Sequence, residues 1–317
     1  MPRDHFAAQT YLKHFVGNDG MLHAYRKSGG HFRCRPKAIC YEADGDIIRG
    51  FLRDESLLGT FRKIFEPAWN DAISDLETRV CDAAVKLAVA GYWTNLMLCT
   101  PAWTRIGKEA HDHDWLRTAR AHDVLTTQAD EPDLKLKAML AEIDSGHYRI
   151  EAEREAIRAV NVTHLSRFAW QLYNADWIVI RNDSDTDFIT SDNPVAFDDP
   201  GPWRGGEGGL PRYLTLTPRL CLYGFMDPRG PHDDEPDFTR LPRGIVKWAS
   251  IPLRGVERVN RAVAKCAEDL VISSSELPTV ETLVAECARF KVAVEFVDLR
   301  LRPDEFLFGN RTRVLEQ

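Results

Sequence analysis

The chain lacks most of the short signatures that name a chemistry outright. Its seven cysteines, at 34, 40, 81, 99, 221, 266 and 287, are scattered, odd in number and without a C-x-x-C pair. That excludes a disulfide framework and a zinc ribbon, and it fits free thiols in a reducing cytosol. The glycines at 205, 206, 208 and 209 are not followed by Lys-Ser/Thr, and no G-x-G-x-x-G follows a strand pattern, so the common nucleotide loops are missing. A serine-hydrolase elbow is also missing. No apolar run is long enough to cross a bilayer, because the richest, over 83–98, is interrupted by Lys86, Gly91, Thr94 and Asn95. The charged start, Met-Pro-Arg-Asp-His, has no apolar run of the signal-peptide kind. These absences describe a soluble cytoplasmic protein. Net positive charge is lacking too. The formal charge of −7 over 317 residues argues against a chain coated for duplex DNA. The basic excess is local: residues 1–50 hold eight Lys/Arg against five Asp/Glu.

What is present reads as a single α+β domain over 1–317, helix-rich over 51–175 and sheet-rich over 176–317, with an N-terminal hairpin packed on the sheet. His5, Gln9 and Leu12 share a helical spacing, which predicts a short helix within 4–16. Residues 21–25 and 31–35, joined by Ser28-Gly29-Gly30, predict a β-hairpin. Leu57, Leu58, Phe61, Ile64 and Phe65 form an apolar stripe on a helix that Pro67 should break. A second helix is expected over 68–98, and further helices over 104–124, 132–145 and 151–174. Strands are expected at 177–180, 188–190, 213–216, 220–223, 270–273 and 292–301, with helices over 256–268 and 280–290. The Gly- and Pro-dense 200–211 and the acidic 228–242 read as surface loops.

The most pointed stretch is Asp187-Phe-Ile-Thr-Ser-Asp-Asn-Pro-Val195. A short buried strand here runs into a turn carrying a hydroxyl, a carboxylate and an amide, and Pro194 ends the ladder. Such a turn is either a site held out by a rigid strand or a self-bonded Asx turn. Glu55 and Glu66, eleven residues apart, would share one helical face if a single helix held both. His111-Asp-His-Asp114 resembles a ligand run, but within a helix its two histidines point to different sides.

The opening His5-Phe-x-x-Gln-x-Tyr-Leu-x-x-Phe15, followed by Asp19-Gly20 and Tyr25, resembles the bacterial family known as domain of unknown function 4238. Pro36-Lys37, Tyr41, Glu55, Glu66, the Ser-Asp-Asn-Pro turn, Thr217-Pro218, Val259-Asn260 and Ala267 fit the same pattern. Members often begin His-Tyr-Val-Pro-Gln, where this chain has Phe6 and Ala8, and they usually carry an arginine at the position of Cys99. The resemblance implies one α+β unit whose polar motif positions meet, and it names no reaction.

Two functions follow as expectations. The first is a metal-assisted hydrolase of phosphodiesters, nuclease-like, with His5, Lys37, Asp192 and Asn193 as catalytic groups. Glu55, Glu66 and Asp192 would hold a Mg or Mn ion, and Gln9, Tyr11, Arg33, Arg35 and Ser191 would hold substrate. The second is a non-catalytic module that binds nucleic acid through the basic hairpin, or a protein partner, with the Ser-Asp-Asn-Pro turn as a structural anchor.

Overall fold

The computed structural model describes residues 3–129, 131–198, 211–225, 235–302 and 305–317. The loop expected over 200–210 and the first part of that over 228–242 lie outside the described residues. In place of one opening helix, the chain begins with a strand, β1 (Arg3–His5), then a single turn, α1 (Gln9–Leu12), which tightens into a 3-10 turn ending at Phe15. The hairpin follows as β2 (Leu22–Arg26) and β3 (His31–Cys34). Its turn places Gly29 and Gly30 at φ 98° and 100°, values that glycine alone adopts cheaply. Next, β4 (Tyr41–Ala43) returns to pair antiparallel with β1, setting His5 opposite Tyr41. This pairing to a distant segment overrides the local helical spacing of residues 4–8.

The helical half contains α2 (Leu57–Phe65), a 3-10 turn over Glu66–Ala68, α3 (Trp69–Glu77) and α4 (Ala83–Leu98). The single helix expected over 68–98 is therefore two. Arg79 turns the chain at φ 64°, and the Asp82 carboxylate caps α4 by accepting the Val85 N–H at 2.8 Å. α4 is buried on nearly every side and packs against α2, α3 and α7 (Arg154–Asn174), as a helix apolar all round must. Gly91 lets α2 approach it: a Cβ there would lie 2.4 Å from the Phe65 ring. Between α4 and α7 run α5 (Pro101–Gln128), capped by Thr100, and α6 (Leu134–Asp144).

The sheet half begins with β5 (Asp176–Asn182), β6 (Thr190–Ser191), β7 (Val195–Phe197), β8 (Arg212–Thr217) and β9 (Leu220–Phe225). It continues through β10 (Val246–Ile251), α8 (Leu253–Cys266), β11 (Leu270–Ser273), α9 (Pro278–Glu286), β12 (Phe290–Arg302) and β13 (Glu305–Glu316). One sheet has the order β10-β5-β9-β8-β7, in which β10 and β5 are parallel and the other pairs antiparallel. A second has the order β3-β2-β11-β6, so the hairpin and the Ser-Asp-Asn-Pro segment are joined through β11. β12 and β13 form a separate hairpin. The fold is α+β, as the sequence predicts.

Candidate functional site

The Ser-Asp-Asn-Pro turn leaves β6 with every polar group engaged. Asp192 is 6% exposed, and its Oδ1 accepts the Glu268 N–H at 2.8 Å. Its Oδ2 accepts the N–H groups of Asp269 and Leu270 at 2.8 and 2.9 Å. Burial pushes the Asp192 carboxyl up to about 6, against the pull of those three N–H groups. Ser191 Oγ donates to the Asn193 carbonyl at 2.8 Å, and Asn193 Nδ2 donates to the Cys266 carbonyl at 2.8 Å. The Thr100 hydroxyl that caps α5 reaches Asn193 Oδ1 at 3.4 Å.

The same α8–β11 connection is held from the hairpin side by Lys27. Its buried ammonium donates to the carbonyls of Lys265, Ala267 and Phe290 at 3.1, 2.7 and 2.6 Å. Burial brings Lys27 down to about 8 while the Asp192 charge opposes the shift. A cation thus meets the carbonyl end of α8, and an anion meets the free N–H groups just beyond it. Ser191, Asp192 and Asn193 fasten one end of the sheet to a helix.

The acid set expected to surround a cation is not assembled. Glu55 is exposed and precedes α2, and its Oε1 accepts the Gly50 N–H at 3.1 Å. Glu66 follows α2 in the 3-10 turn, and its Oε1 accepts the Thr10 hydroxyl at 2.6 Å. The two do not share one helical face, because α2 covers only the residues between them. Among the described residues, no group of three converging metal-ligating side chains contains Glu55, Glu66 or Asp192.

The expected substrate residues divide in the same way. Tyr11 is fully buried, with its hydroxyl on Thr190 Oγ1 at 2.5 Å and on the Thr215 carbonyl at 2.8 Å. Arg33 pairs with Asp19, while Arg35 is exposed just before the 3-10 turn after the hairpin (Pro36–Ala38) and Lys37 is exposed within it. Gln9, half-buried, opens α1. Arg26 pairs with Asp269 at 2.6 Å, so much of the hairpin's positive charge is spent within the protein.

His5 lies in a different setting. β1 holds it 8% exposed, with its ring 5.7 Å from that of Tyr41. Burial lowers its pKa below the usual 6.5, and the positive charge of Arg62 adds to the shift. Arg62 projects from α2, 8% exposed, and binds Asp46 at 2.5 Å. Arg158 and Arg154 from α7 both pair with Glu42 of β4. Burial raises Asp46, which Arg62 and Arg158 oppose and the charges of Asp4 and Glu66 reinforce. Three buried atoms here have no protein partner: His5 Nε2, Arg62 Nε and the Tyr92 hydroxyl. Tyr92 is raised by burial and by the neighbouring charge of Glu66.

Cys99 borders the same cluster. Burial pushes its thiol up to about 12, and Arg62, Asp46 and Arg158 are the charges it feels. A cavity of about 10 Å³, the size of one water, lies between Cys99, Arg158, Leu58, Asn161 and neighbouring apolar side chains. The position where the resemblance implies an arginine therefore lies beside this small, mostly apolar cavity, which Arg158 lines, and the charge of Arg62 also reaches it. The usable sequence signal was a charge on an apolar face: Arg62 stands one turn after Leu58 and before Phe65, and Arg158 one turn before Val162.

No curated protein and no solved structure matches the chain. A family model described as "Protein of unknown function (DUF4238)" matches residues 3–276, which include the His5 pocket and the Ser-Asp-Asn-Pro turn. The chain belongs to the DUF4238 family.

Proposed function

We propose that the protein hydrolyses phosphate esters, and that the work is done in the pocket around His5, Arg62 and Arg158 rather than at Asp192. The observation that carries this is the pair of buried nitrogens, His5 Nε2 and Arg62 Nε, left without protein partners in a cluster that also holds the buried guanidinium of Arg158. Unsatisfied buried donors are costly, and they are expected where a ligand or water completes the set. A lowered pKa keeps the His5 imidazole neutral at pH 7, able to take a proton from a water that attacks phosphorus. The guanidiniums of Arg62 and Arg158 then offset charge on the non-bridging oxygens while the ester P–O bond breaks, and the departing oxygen is protonated through solvent as His5 releases the proton it took. The Mg or Mn ion expected with the acid set does not fit: among the described residues, no three metal-ligating side chains converge in this pocket. No step is therefore assigned to an ion.

The second reading is a binding module with the Ser-Asp-Asn-Pro turn as its anchor. It is favoured by the full commitment of Asp192 to backbone N–H groups. Incubation with bis(p-nitrophenyl) phosphate, RNA and DNA, with and without EDTA, separates the two. Hydrolysis that survives EDTA and falls by about 10²–10⁴ in His5→Gln supports the first. Binding of RNA or DNA without turnover supports the second, and neither hydrolysis nor binding would remove both.

A further inference from the structure

Four titratable side chains cluster where the hairpin meets the turn before it and the segment after β11. His23 Nδ1 lies 3.2 Å from His31 Nε2, with ring planes 6° apart and centroids 5.3 Å apart. That spacing is nearly end to end, so the two inner nitrogens point at each other. The outer nitrogens meet carboxylates: His23 Nε2 is 3.7 Å from Asp19 Oδ2, and His31 Nδ1 is 3.9 Å from Glu276 Oε1. Asp19 favours an N–H on His23 Nε2, which turns the His23 Nδ1 lone pair toward His31, as in carboxylate–histidine–metal triads. An N–H from either ring can bridge the two inner nitrogens, and so can a cation bound beside them.

The distances suit a cation. Two nitrogens bound tetrahedrally at 2.0–2.1 Å stand about 3.4 Å apart, close to the separation of the inner pair, so a turn of each ring aims both lone pairs at a cation beside the N···N line. Glu276 supplies a third donor, and one atom from each of His23, His31 and Glu276 lies within 4.8 Å of the others. The backbone holds these residues in place. His23 and His31 come from adjacent strands, with His23 opposite Arg33 and His31 opposite Tyr25. Tyr25 stacks on His31 at 4.7 Å, and its hydroxyl accepts the Leu277 N–H at 2.8 Å, which fixes the segment carrying Glu276. His23 and Asp19 also line a cleft of about 540 Å³, whose wall includes Asp187, Arg219 and Ser274.

We propose that His23, His31 and Glu276 form a site for a borderline divalent transition metal of the zinc class, with Asp19 positioning His23. Two imidazoles and a carboxylate are the donor set that such ions prefer over Mg or Ca. Three protein ligands leave the fourth tetrahedral place to water or to a ligand entering from the cleft. The site shares no residue with the His5 pocket, so it stands or falls separately from the phosphate-ester reading.

The test is titration of the full-length, EDTA-stripped protein with Zn²⁺ by calorimetry and with Co²⁺ by absorption. One equivalent is expected, with the intense visible bands of tetrahedral cobalt. His31→Gln should weaken binding by at least 100-fold and abolish those bands. Glu276→Gln and the positioning change Asp19→Asn should each weaken it about 10-fold. His31 and Glu276 are not fully buried, so these variants should fold, and circular dichroism checks that they do. Absence of stoichiometric binding in the native chain would overturn the proposal. So would equal affinity in folded His31→Gln, which would place the metal elsewhere in the chain.

Discussion

Asp192→Asn isolates the clasp at the end of α8. The change keeps the side-chain volume but sets an NH₂ group against backbone N–H donors, so at least one of three buried hydrogen bonds is lost and an N–H is left unpaired. A hydrogen bond to a charged group is worth about 1.5–3 kcal/mol, and an orphaned buried donor costs about 1–3 kcal/mol. These overlap, and a loss of about 3 kcal/mol at pH 7 is expected from urea melts. The pH dependence adds a signed test. Burial places the native carboxyl at about 6, above its ordinary value near 4. A carboxyl raised in the folded state binds its proton more tightly there. Its favourable contribution is full below about pH 4 and fades as pH rises through 6. The stability gap between native and Asp192→Asn protein should therefore widen by about 1 kcal/mol from pH 7 to pH 5. A gap that narrows over that range would show that the three N–H groups outweigh burial. A variant as stable as the native chain would refute the clasp itself.

Two further outcomes follow from packing. Gly91→Ala drives a methyl into the Phe65 ring where α2 meets α4, and a loss of about 1–3 kcal/mol in thermal or urea melts is expected. Lys27→Met removes the donor to two carbonyls at the α8 terminus and one at the start of β12 and should cost about 3 kcal/mol, with β11 amides exchanging faster in hydrogen-exchange measurements.

The hairpin and β11 could be read from the sequence because turn glycines and short alternating runs are local signals. The strand at Arg3–His5 could not, since its partner lies in Tyr41–Ala43 and nothing in residues 4–16 announces that pairing. The break near Arg79 was hidden by an apolar spacing that continues through Val80, although Asp82 offered a cap. At the Ser-Asp-Asn-Pro turn the residue types were right and their partners were not. Asp192 bonds N–H groups 76 to 78 positions away, which no local pattern encodes. His5 was legible as a candidate by its place in the opening motif. Arg62 and Arg158 show in the sequence only as charges on apolar helix faces, and their meeting with Asp46 beside His5 does not show, because separate segments deliver the three.

The location of the working site is the central claim, and turnover per folded molecule tests it most directly. Bis(p-nitrophenyl) phosphate hydrolysis should be compared in native protein, His5→Gln and Asp192→Asn, each normalised to the folded fraction measured in the same buffer. A fall of at least about 100-fold is expected in His5→Gln, with an unchanged rate in the folded fraction of Asp192→Asn. The reverse pattern, with His5→Gln active and folded Asp192→Asn inactive, would contradict it.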